Sequence, residues 1–313
     1  AAIIDDFVDS AAARRDDDPP ETLALRVTAG AGKTGATLGA LARNAARLIE
    51  RGNVLVYLPT LDLAERAERE FRDLAPGVPS VVIRGREAFL PGSPDQRMCR
   101  RHSIARKVAS IVPSVTEALC RGRDADGSIR QAPCAAGCPY LAQREFNGGR
   151  FVFLAHSYLL ASPPIDLSVP TVLRILDEKV WPTLCRTSWI TLEDFMRAPP
   201  AAFPQHLRSD HSRVRSAIVE ALQDAKPILA HLSHAGVGSS LLADLASAEQ
   251  AARDAPEIRP WNPEQEIHGK LDVFDIAKFR ASVTRQMVFK TLAESGGEDC
   301  NRLSFHENVR EGL

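Results

Sequence analysis

The chain lacks most of what would mark a secreted scaffold, a membrane protein or a globally basic nucleic-acid binder. Six cysteines in 313 residues are too few for a disulfide framework. No apolar run approaches the roughly 18 residues that a bilayer span needs. The N-terminal AAIIDDFVDSAAARRDDDPP is acidic and has no secretory core, so the expected compartment is a reducing cytoplasm. With 39 basic and 40 acidic residues the net charge is −1, so any polyanion must be held locally. Lysine is scarce, 7 of the 39 basic residues, which with the Ala-rich helices reads as a GC-rich coding sequence and not as function. Met is missing at position 1, which suggests a fragment or a trimmed chain. Internal repeats and low-complexity tracts are also missing. What remains, 44% hydrophobic and 25% charged, is ordinary for a folded globular protein and allows one large domain or two modest ones.

Patterning divides the chain. Residues 1–22 read as a short helix and an acidic turn closed by Pro19 and Pro20. The segment 23–50 opens as a β-rich apolar run, passes through a glycine turn, and ends with Leu38, Leu41, Ala42, Ala45, Leu48 and Ile49 at helical spacing. Val54–Leu58 reads as a buried strand, residues 61–74 as an amphipathic helix, and Val81–Ile83 as a third strand. The alternation stops at Pro91 and resumes at Phe151–Ala155 and Val172–Leu176. Strands alternating with helices predict an α/β fold with a parallel sheet covered on both faces. Residues 91–150 are then an insertion into a domain spanning 23–182. It holds four of the six cysteines and 10 Lys and Arg against 5 Asp and Glu. Beyond Trp181 the chain reads as mostly helical, over 183–258. Residues 255–268, with Pro256, Pro260 and Pro263, read as a linker, and 259–313 stay ambiguous.

The sharpest local signal is Thr28-Ala29-Gly30-Ala31-Gly32-Lys33-Thr34. Phosphates require backbone N–H groups turned inward, which glycines allow, and a following helix N-terminus adds its dipole. In that reading Ala29, Gly30, Ala31, Gly32 and Gly35 line the phosphates. Lys33 neutralises the β- and γ-phosphates and Thr34 binds Mg²⁺. The full pattern asks for Gly where Val27 stands, a position that helicase-type loops often leave unfilled. A strand ending in Asp177-Glu178 supplies the second acidic element. Asp177 would contact the metal's water shell and Glu178 would polarise the attacking water.

With these segments on the page, the chain resembles the first motor domain of a superfamily 2 helicase, a P-loop NTPase of RecA-like fold. More narrowly it resembles the iron–sulfur XPD/DinG-like DNA helicases. The likeness covers about residues 23–182 and rests on AGAGKT at 29–34, LPTLDLAER at 58–66, the Cys-bearing insertion, and FVFLAHSYLL followed by ILDEK at 175–179. It is also similar to phage or plasmid primase–helicases, in which an acidic pair is followed closely by Trp, here Trp181. The resemblance implies ATP and Mg²⁺ as cofactors, single-stranded DNA as partner, no membrane, and contact with the strand backbone at Pro59 and Thr60. Lys179 and Val180 replace the rest of the family's DEAH run, so its coupling His is missing. No segment resembles a second motor domain. The implied activity is ATP hydrolysis driving translocation once such a domain is joined. The alternative is a nucleotide-gated P-loop module that clamps nucleic acid or a partner without unwinding, with a zinc-stabilised insertion.

Cys99, Cys120, Cys134 and Cys138 follow C-x20-C-x13-C-x3-C, looser than the paired spacing of zinc ribbons. Their place between the motifs resembles the family's [4Fe–4S] insertion; zinc, or four unconnected thiols, are the alternatives. Arg100, Arg101, Arg121 and Arg123 would favour the thiolates. Cys185 and Cys300 read as inert. The insertion's charge makes it the candidate footprint for DNA, with Arg100 and Arg101 on phosphates and Tyr140 and Phe146 stacking on bases; a solvated basic face is the alternative. His156 resembles the family's His after the insertion, and equally reads as a core histidine.

Overall fold

The structure, a computed structural model, describes residues 2–15, 17–26, 28, 30–161, 163–165, 168–184 and 189–295. The elements in order are α1 (Ala2–Ala13), α2 (Lys33–Arg43), α3 (Ala45–Arg51), β1 (Asn53–Leu58), α4 (Leu61–Leu74), β2 (Ser80–Val82), β3 (Phe89–Leu90) and β4 (Ser93–Arg97). Then come α5 (His102–Val108), α6 (Val115–Leu119), β5 (Arg121–Arg123), β6 (Ile129–Gln131), α7 (Pro139–Ala142), β7 (Phe151–Ala155) and β8 (Thr171–Leu176). The C-terminal half is helical: α8 (Trp181–Leu184), α9 (Leu192–Met196), α10 (Arg208–Gln223), α11 (Ile228–His234), α12 (Ser239–Ala251), α13 (Glu264–Asp272) and α14 (Ile276–Glu294). The protein is α/β, and its chain forms two compact units, 1–106 with 131–186 and 107–130 with 187–313.

The first unit is built on a four-stranded parallel sheet, ordered β2-β7-β1-β8. Every residue of β1 is buried, as expected for an inner parallel strand with both faces covered. Val54, Val56, Leu58, Phe151, Phe153 and Leu173 face one way into a core shared with α1–α4. Leu55, Tyr57, Val152 and Leu154 face the other way, onto Ile83 and Ile165. Helix α4 spans the expected residues because Ala64, Ala67, Glu68 and Phe71 share one face and are buried. Phe71 packs on Phe151 with ring centroids 4.3 Å apart, and Thr60 caps the helix by accepting from Leu63 N.

Three expectations change. No strand forms over the described residues of 23–28. Leu23 and Leu25 are exposed, so the run buries nothing that would offset the entropy of ordering it. The N-terminal helix is no separate piece: Val8, Ala11 and Ala12 enter the sheet core, and Asp5 and Asp9 meet Arg43 and Arg47. Residues 91–150 are also not one body, since 107–130 belong with the second unit.

The second unit has its own apolar core, drawn mainly from α9–α12 and α14. The expected Pro-rich linker is packed here, with Ile258 and Ile267 buried and Trp261 under the Arg130 guanidinium at 4.5 Å. Its prolines stop helices without freeing the chain. Among the described residues no helix is long and apolar enough to cross a membrane.

Candidate functional site

Helix α2 begins after Gly30 and Gly32, at φ +80° and +71°. A side chain at either position would be strained by backbone conformation alone, and that left-handed geometry lets the loop turn directly into the helix. Ala31 N donates to Thr28 O, and Ala36 N to Gly32 O at 2.9 Å. Lys33 is half-buried, and its Nζ reaches back across the loop to Thr28 O at 3.5 Å. Gly30, Ala31, Gly32 and Gly35 are exposed. Ala29 and Val27 lie outside the described residues.

At the carboxyl end of β8, Asp177 N donates to Tyr57 O at 3.0 Å, so β1 fixes where that carboxylate sits. Thr34 Oγ1 then donates to Asp177 Oδ2 at 2.7 Å, joining residues 143 apart in sequence. Two side-chain oxygens therefore meet next to Lys33, of the type that hard divalent cations accept as ligands. Glu178 follows at φ +64°, a rare conformation for a residue with a side chain. It is exposed.

The other candidate residues separate. Pro59 and Thr60 follow β1 on the same carboxyl edge of the sheet, but the Thr60 hydroxyl is engaged as a helix cap. Arg100 is exposed, whereas Arg101 is buried and so is not available to a strand's phosphates as expected. Tyr140 lies under the Arg86 guanidinium at 4.0 Å and Phe146 under Arg150 at 5.0 Å, and both side chains are only partly exposed, which leaves little open ring for a base. His156 is buried, and its Nε2 has no hydrogen-bond partner among the described residues.

Cys99, Cys134 and Cys138 lie in the first unit and Cys120 in the second. Burial pushes the Cys134 thiol up, with Cys99 and Cys138 adding to the shift and Arg101 opposing it. Desolvation thus outweighs the nearby arginine that was expected to favour a thiolate. Arg86 Nη1 donates to Cys99 Sγ at 3.7 Å. Among the described residues no three His, Cys, Asp or Glu side chains are arranged to hold a metal ion. Cys185 and Cys300 lie outside the described residues.

The second unit holds a buried polar cluster that sequence reasoning missed. Glu249 accepts from His211 Nε2 at 2.7 Å, from Arg285 Nε at 2.5 Å and from Ser282 Oγ at 2.5 Å. Arg285 Nη1 continues to Asp194 O, and Arg215 reaches the carbonyls of Phe195, Arg197 and His211. Burial raises the Glu249 carboxyl, but the bonds from His211, Arg285 and Ser282 more than offset it and hold it low. Burial drives His211 down, helped by Arg215 and Arg285 and opposed by Glu249. Its Nδ1 has no hydrogen-bond partner among the described residues, and the carboxylate opposite Nε2 places the neutral ring's proton on Nε2. The available signal was Glu249 at a core position of an otherwise apolar helix face.

Searches against protein-family models, curated proteins and solved structures each return no match for this chain.

Proposed function

We propose that this chain is the nucleotide-binding motor domain of a superfamily 2 type DNA helicase, of RecA-like fold. It would couple Mg-ATP hydrolysis to movement along single-stranded nucleic acid when joined to a second motor domain. The observation that carries the reading is the Thr34–Asp177 hydrogen bond at 2.7 Å, beside a glycine loop that opens α2. A hydroxyl on the first turn after such a loop and a carboxylate at a neighbouring strand end are the pair that a phosphate-bound Mg²⁺ needs. The four-stranded parallel sheet is compatible with that fold. In it, Lys33 holds phosphate charge, Thr34 and Asp177 hold the cation's shell, and Glu178 polarises water. Bound Mg²⁺ would neutralise charge on the transferred phosphoryl group.

The resemblance adds an iron–sulfur cluster, or zinc, on Cys99, Cys120, Cys134 and Cys138. In its favour, Cys99 and Cys138 act electrostatically on the Cys134 thiol. The described geometry does not itself fit a metal, so no step of the mechanism passes through one.

ATP hydrolysis with and without oligo-dT tests the proposal. The motor reading expects turnover that oligo-dT stimulates and that Glu178→Gln abolishes while Mg-ATP binding persists. Hydrolysis that persists in Glu178→Gln removes Glu178 from the site. Binding without turnover, with or without DNA, favours the clamp over the motor.

A further inference from the structure

Strand β2 ends at the carboxyl edge of the sheet, as β1, β7 and β8 do, and the chain leads from it into the β3–β4 hairpin. Phe89 pairs with Arg97 and Leu90 with Ser93, across a turn in which Gly92 has φ +75°. A two-stranded hairpin alone is marginally stable, and this one is tied down at its base. Met98 N donates to Ala88 O at 2.9 Å and Cys99 N to Arg86 O at 3.0 Å, with Met98 and Cys99 buried. Above that base Phe89 stays 51% exposed, its ring under the Arg97 guanidinium at 3.6 Å. Arg97 is itself fixed by donating to Glu87 O at 2.7 Å.

The surroundings are basic. Residues 84–106 carry six Arg against Glu87 and Asp95, in a chain whose net charge is −1. Arg100 and Arg106 are exposed there; Arg106 meets Glu87 at only 3.8 Å, with both side chains more than half exposed. Such a pair is weak and yields readily to phosphate. About half of the Phe89 surface stays in water, area that contributes nothing to the core. Held on a hairpin tied down at its base, beneath a planar cation and beside the exposed Arg100 and Arg106, it has the chemistry that receives an unpaired base and its phosphate.

We infer that the β3–β4 hairpin is a base-stacking platform for single-stranded nucleic acid, with Phe89 and Arg97 as the stacking pair and Arg100 and Arg106 on phosphates. The inference rests on the nucleic-acid part of the function proposed above and moves the stacking role away from Tyr140 and Phe146. The strand would lie along the carboxyl edge of the sheet, where Thr60 also stands.

Fluorescence anisotropy of a labelled dT20 with the full chain tests it at several salt concentrations. Phe89→Ala and Phe89→Leu are expected to bind about tenfold more weakly, with an unchanged salt slope and an unchanged melting temperature. Phe89→Trp is expected to bind at least as tightly as the parent chain. Arg100→Ala should shallow the slope of log K against log salt by about 0.7. Parental affinity in Phe89→Leu overturns the inference, because Leu keeps the apolar bulk without the π face. So does a loss in Phe89→Ala that tracks a fall in melting temperature and is not restored by Trp. Failure here with Lys33-dependent nucleotide binding intact removes only the platform; loss of that nucleotide binding instead removes the motor reading itself.

Discussion

At Glu178 a backbone cost stands beside a proposed chemical role. Its φ of +64° costs a residue with Cβ roughly 1–2 kcal/mol, which glycine avoids. Glu178→Gly should therefore leave the fold as stable or raise it by up to about 1 kcal/mol, while hydrolysis is lost. Thermal denaturation alongside an ATPase assay checks both, and a destabilised variant would show that the carboxylate itself supports the fold. In the second unit His211 and Glu249 make stability depend on pH. The folded-state pKa of His211 is depressed by burial, so the unfolded chain binds its proton first, from about pH 6.5 downward. The advantage of the fold shrinks as pH falls below that point. Glu249 is also held low, so its contribution is present above the ordinary carboxylate range and is lost as pH falls through its folded value. Melting temperature should thus fall between pH 7 and pH 5. His211→Gln should flatten that fall, and an unchanged profile would contradict the assignment. Glu249→Ala, which leaves Arg285 buried without its carboxylate, should cost roughly 3–5 kcal/mol.

At the scale of elements, the sheet depends on close backbone approach where its strands begin. A Cβ on Gly149 would lie 2.2 Å from Ile49 O and 2.3 Å from Gly52 O. Both obstacles are backbone, so α3 or β7 would have to move. Gly149→Ala should cost roughly 1–3 kcal/mol, read as a lower urea midpoint; an unchanged midpoint would mean that the strand entry is looser than described. Elements with a clear apolar period were legible in the sequence. Helix α4 and β7 match their expected bounds, β1 and β8 begin one residue earlier, and β2 is shifted by one residue at both ends, because a strand buried on both faces and a helix buried on one leave unmistakable patterns. The run at 23–28 carries equally apolar letters, but no neighbour buries Leu23 and Leu25, and pattern alone does not reveal that. The β3 strand is two residues long, too short to have a period, so the hairpin carrying Phe89 was invisible. In the second unit, charged residues at core positions of α10, α12 and α14 hide the buried face.

Across the molecule, the candidate nucleotide site was legible because its parts are local signals, a glycine loop and an acidic strand end; the fold brings Thr34 to Asp177. The cysteines behave differently, since their spacing says little about where the chain takes them, and Cys120 falls in the second compact unit. If the four hold one metal centre, Ser at Cys99, Cys120, Cys134 or Cys138 should each lower bound iron or zinc in the purified protein, and Ser at Cys185 or Cys300 should not. Equal losses at all six, or none at any, would remove the metal centre. The nucleotide-binding test stands apart from that outcome, because Lys33 and Thr34 open α2 and Asp177 follows β8, on segments that carry none of the four cysteines. Calorimetric titration of Mg-ATP into the parent chain and into Lys33→Ala is the most direct measurement of the central claim. A hydrogen bond to a charged group is worth roughly 1.5–3 kcal/mol, so Lys33→Ala should bind about tenfold or more weakly while folding normally. Equal affinity in the two proteins, or no binding to the parent chain, would contradict it.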